Sequence, residues 1–161
     1  MKKKILTIIL YIILIIIGFS LWYFSFFINP VLMSLPDYKT KSFYTSGGGG
    51  DYTDYAKYTF DSVNIKKLKK SKYFKKITNA DVKEILLYIN DFEKWVESTS
   101  SIELKENYDF DKNIVSKGDF FYIETKEGEP IGQGTYDKYD NYDVYYFDVE
   151  NSILYYFHNN I

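Results

Sequence analysis

The chain of 161 residues has no cysteine, no arginine and a single histidine. Without cysteine there are no disulfides, thiolate metal sites, cysteine nucleophiles or sulfur-linked lipids. A lone histidine, His158, excludes a multi-histidine metal centre. Without arginine, phosphates and carboxylates meet only lysine point charges, never the bidentate guanidinium fork. Alanine is confined to Ala56 and Ala80, while Lys, Ile, Asn, Tyr and Phe abound, a bias toward residues with A/T-rich codons. The net charge of −2 argues against nucleic acid as a general partner.

What the chain does have starts with an apolar run. Lysines at 2–4 precede residues 5–28, which carry no charge. As a helix that run spans about 36 Å, enough for a hydrocarbon core of ~30 Å. Trp22, Tyr23, Phe24, Phe26 and Phe27 suit a membrane interface at its far end. Asn29-Pro30 is expected to end the helix. A signal peptide cut after Ser20 is the rival, but it leaves a strongly apolar new N-terminus. The expectation is a single-pass bacterial membrane protein held in the lipid bilayer by residues 5–28. Residues 1–4 form a cytoplasmic stub, and the C-terminal domain is extracytoplasmic.

Residues 29–56, with Pro30, Pro36 and four consecutive glycines, read as a tether. Residues 57–161 read as a small α+β domain, with one or two helices packed in two layers on an antiparallel meander. A short helix is expected within 61–77. A second, over 79–98, carries an apolar stripe of Val82, Ile85, Leu86, Ile89, Phe92, Trp95 and Val96. Thr78 and Asp81 sit at capping-box spacing. Thereafter the period falls to two, with strands expected at 119–125, 131–136, 142–149 and 153–158.

Charge is unevenly spread. Residues 57–76 hold eight lysines and one acid, Asp61, whereas residues 103–150 hold thirteen acids and five lysines. Lys66, Lys67, Lys69, Lys70, Lys72, Lys75 and Lys76 form a candidate basic patch. Their mutual repulsion needs compensation, either from the acidic strands, which is the expectation, or from an anionic partner. Tyr136, Tyr139, Tyr142, Tyr145 and Tyr146 are a candidate contact surface, set against a half-buried strand. Asp109, Asp111 and Asn113 have calcium-loop spacing, but Ile114 stands where glycine is needed and Phe120 where glutamate is needed, so a side-chain-capped turn is expected. His158 is the one candidate neutral-pH base, and paired carboxylates such as Glu124 with Asp143 are candidates for glycoside hydrolysis. No catalytic, cofactor-binding or metal-ligating set emerges. The expected function is a non-catalytic binding or accessory module at the cell envelope, with an envelope protein or polymer as partner; the alternative is a carboxylate hydrolase.

Overall fold

In a computed structural model, which describes residues 11–20, 29–48 and 51–161, the chain divides into two units, Met1–Leu35 and Pro36–Ile161. In the first unit, residues 11–20 are helical and Pro30–Met33 forms a short helix, α1. Asn29-Pro30 starts that helix, and residues 21–28 before it lie outside the described residues. The Asn29 side chain accepts from the Val31 and Leu32 amides at 3.1 and 2.9 Å, and proline fits the first helical position.

The expected span at 5–28 needs correction. Among the described residues no helix is long and apolar enough to cross a membrane. The helical stretch 11–20 rises about 15 Å, half the ~30 Å a hydrocarbon core requires. The rest of the expected span and the stub 1–4 lie outside the described residues. The transmembrane part of the expected fold class, and the single-pass location built on it, are therefore withdrawn.

The second unit is α+β. Its elements are β1 (Thr40–Gly48), β2 (Asp51–Thr59), α2 (Ser62–Leu68), β3 (Lys75–Lys76), α3 (Asn79–Ser98), α4 (Ile102–Asn107), a 3-10 turn (Lys112–Ile114), β4 (Phe120–Thr125), β5 (Pro130–Ile131), β6 (Gly134–Thr135), β7 (Asn141–Asp148) and β8 (Ile153–Asn160). The main sheet is antiparallel throughout, in the order β1-β2-β8-β7-β4-β3. β5 and β6 make a separate small hairpin where one weak strand was expected.

Residues 40–48 and 51–59 are thus not a tether. They form a hairpin whose second strand pairs with β8, so the first hairpin of the unit lies beside its last strand. Glycine serves this turn chemically. Gly47 takes a φ of 105°, and a Cβ there would run into the Asp51 carbonyl oxygen. The domain boundary accordingly moves from residue 57 to residue 36.

α3 matches the expected helix. The Asp81 carboxylate accepts from the Thr78 amide at 2.8 Å and its hydroxyl at 2.5 Å, fixing the first turn. Ile85, Tyr88, Ile89, Phe92 and Val96 are buried against Tyr55, Tyr142, Val144, Tyr146 and Phe157 from one sheet face. Trp95 is only half-buried. α4, capped by the Ser101 hydroxyl, was not expected from the sequence. The other sheet face is covered from the segment before α3. Phe60 meets Phe147, Phe74 meets Tyr145, and Tyr73 meets Tyr122, at ring-centroid distances of 6.3, 6.4 and 5.5 Å. The two faces alternate along β7, so that strand is buried on both sides.

Candidate functional site

The structure separates the expected tyrosine surface. Tyr142 and Tyr146 face α3 in the core, whereas Tyr145 lies on the opposite face and is fully buried. Tyr139 packs edge-on to Tyr88 at 5.3 Å, and Tyr136 stands apart in the β6–β7 connection. These five residues share no exposed surface, because a period-two strand sends neighbours to opposite faces.

The lysine segment behaves otherwise. Lys66, Lys67, Lys69, Lys70, Lys72, Lys75 and Lys76 are all exposed, along α2, the turn after it and β3. Of these seven lysines only Lys75 has an ion pair among the described residues, with Asp81 at 3.7 Å, and Asp81 belongs to the α3 cap. Lys69, Lys72 and Lys75 lie over the Phe120, Tyr73 and Phe121 rings at 5.9, 4.9 and 4.3 Å. Each of these three ammonium groups thus rests over an aromatic ring while its residue stays exposed. The expected compensation by the acidic strands is not what the fold builds.

The acids are engaged elsewhere, chiefly by tyrosine hydroxyls. Tyr55 donates to Asp109 at 2.9 Å, Tyr142 to Asp91 at 3.3 Å and Tyr156 to Asp143 at 2.6 Å. Asp119 is buried and accepts from the Tyr146 and Ser116 hydroxyls at 2.7 and 2.8 Å and from the Val149 amide at 3.0 Å. Asp111 caps the Asn113 amide at 2.9 Å, the capped turn expected there. Burial, and then the adjoining carboxylate, push the Tyr55 and Tyr146 phenols far above their usual range, so they remain donors.

A third grouping was only partly foreseen. Glu124 on β4 opposes Asp143 on β7, Asp143 opposes His158 on β8, and His158 opposes Asp54 on β2. Directly opposed residues share a face, so the four form one row across the sheet. Asp143 Oδ1 lies 2.8 Å from His158 Nδ1. Burial raises the Asp54 carboxyl above the ordinary carboxylate range, against the Thr45 hydrogen bond and the His158 charge. Glu124 is raised by burial and then by the Asp143 charge. Asp54 escaped the sequence reading because its strand read as a linker; the alternation Tyr52, Asp54, Ala56, Tyr58 was the available signal.

Neither of the two described clefts is bounded by Glu124, Asp143, His158 or Asp54. One of about 390 Å³ is bounded by Lys41, Tyr44, Lys57, Asp109 and Tyr155, and one of about 310 Å³ by Tyr52, Thr53, Trp95, Thr99 and Asn159. Comparison with protein-family models, curated proteins and solved structures gives no match.

Proposed function

We propose that residues 36–161 form a non-catalytic binding module that docks an anionic polymer through lysines 66–76. The observation that carries this reading is that seven exposed ammonium groups share one ion pair. The positive charges are strung along a helix, a turn and a short strand, in no single pocket. Such a string suits repeated charges on a flexible chain better than one small anion. Lysine without arginine favours recognition by charge density over bidentate geometry.

A second reading, carboxylate hydrolysis, is favoured by Glu124 standing opposite Asp143 with a raised proton affinity. Against it, neither described cleft is bounded by these residues, and the outer imidazole nitrogen of His158 is buried from any substrate.

The test uses long-chain polyphosphate and the full-length protein. Binding is expected at about 20 mM salt, with affinity at least about tenfold weaker near 150 mM. A variant with Lys66, Lys67, Lys70 and Lys72 changed to glutamine should lose binding. Changing the exposed Lys83, Lys105, Lys117 and Lys126 to glutamine should leave it largely intact. No binding by the wild type, or equal losses in both variants, would overturn the proposal.

A further inference from the structure

Three segments meet at one end of the main sheet: the β1–β2 hairpin, the last residues of β8 and the C-terminal turn of α3. They bound the cleft of about 310 Å³, at the small end of the range for small-molecule sites, roughly 300–1,000 Å³. Hydrogen bonds within the fold fix its walls. The Ser46 and Thr99 hydroxyls bond to each other and tie β1 to the end of α3. The Thr53 hydroxyl donates to the Asn159 side-chain oxygen at 3.1 Å, and the Asn159 amide donates to the Tyr139 carbonyl at 3.2 Å. The Trp95 carbonyl accepts from the Thr99 amide at 2.9 Å and from the Ser98 hydroxyl at 3.1 Å, which closes the last turn of the helix. Two aromatic residues also border this frame, Trp95, half-buried, and Tyr52, 40% exposed. So do Asp51 and Ser100, both exposed, whose side chains have no hydrogen bond or ion pair among the described residues. Asp51 is the only charged side chain in the lining.

We propose that this cleft binds one or two rings of an uncharged saccharide. An ionised carboxylate only accepts hydrogen bonds, so Asp51 calls for a ligand with donors, and its charge turns anions away. Serine and threonine hydroxyls both donate and accept, which matches the hydroxyls of a sugar. Indole and phenol rings offer flat apolar area at low entropy cost, against which the C–H face of a sugar ring can lie. A purely apolar ligand would strip water from Asp51 and the hydroxyls and return no hydrogen bond. A quaternary ammonium ion would find rings and a carboxylate here, but it brings no donor to Asp51 and nothing to the hydroxyls. No lysine bounds the cleft, so binding there does not depend on residues 66–76 and is insensitive to salt.

The test is calorimetric titration of the full-length protein with cellotetraose, maltotetraose and tetra-N-acetylchitotetraose. At least one should bind with a Kd of about 1 mM or tighter. That affinity should change less than about threefold between 20 and 300 mM sodium chloride. Trp95→Ala and Asp51→Ala should each weaken it at least about tenfold. Asp51→Ala, at an exposed position, should keep the wild-type unfolding midpoint, so its loss reports on the ligand and not on folding. The variant with glutamine at 66, 67, 70 and 72 should bind as the wild type does. No binding of any of the three below about 10 mM, or an affinity unchanged in both Trp95→Ala and Asp51→Ala, would overturn the proposal. Tetramethylammonium bound in place of the saccharides, and lost in the same two variants, would assign the cleft to a cation and overturn it as well.

Discussion

Asp119 shows at the scale of one residue how this protein uses its acids. Its carboxylate takes two hydroxyls and one amide at 2.7, 2.8 and 3.0 Å, inside the fold. Asp119→Ala removes every one of those acceptors and should cost about 3 kcal/mol in denaturant unfolding. A loss under about 1 kcal/mol would mean water replaces the carboxylate without penalty. Asp109 works at the surface. Partial burial raises its proton affinity, but hydrogen bonds from Lys57 and Tyr55 outweigh this and hold it below the ordinary carboxylate range. A lowered folded-state value contributes stability above the unfolded pKa, which is lost as pH falls through the folded value. Asp109→Asn should therefore flatten the acid limb of stability below about pH 4. An unchanged acid limb would show that Asp109 gains nothing from its partners.

At the scale of elements, α3 was legible because its apolar positions recur at helical spacing and its cap is written in Thr78 and Asp81. Yet the stripe did not say how deeply each member sits. Phe92 is fully enclosed, packing on Phe157 at 5.3 Å, whereas Trp95 lies half-exposed beside a cleft. Phe92→Ala should cost about 3–5 kcal/mol, and Trp95→Ala under about 2. Equal losses would mean the helix is rotated from the position described. β7 and β8 were legible from dense alternation around a short turn. The β1–β2 hairpin was not, because polar residues lie on both its faces and its glycines suit a flexible linker equally well. The acid–imidazole row was half-legible for the same reason. Glu124, Asp143 and His158 could be singled out by chemistry, but the pairing of Asp54 with His158 is set by sheet register across most of the chain.

Over the whole molecule, the division between a lysine-rich and an acid-rich half suggests two faces attracting each other. The fold resolves it differently. Asp119 and Asp148 are buried, several other acids accept from tyrosine hydroxyls, and lysines 66–76 remain outside with one ion pair among them. Internal ion pairing and uncompensated repulsion respond oppositely to screening, since added salt weakens attraction in the first case and relieves repulsion in the second. The most direct measurement is the unfolding midpoint of the full-length protein between about 20 and 300 mM sodium chloride, compared with the variant carrying glutamine at 66, 67, 70 and 72. If the lysines are uncompensated, the variant is the more stable at low salt, and the wild type gains on it as salt rises. A wild type that starts more stable than the variant and loses that advantage with salt would show that the lysines are paired within the fold, and would contradict the account.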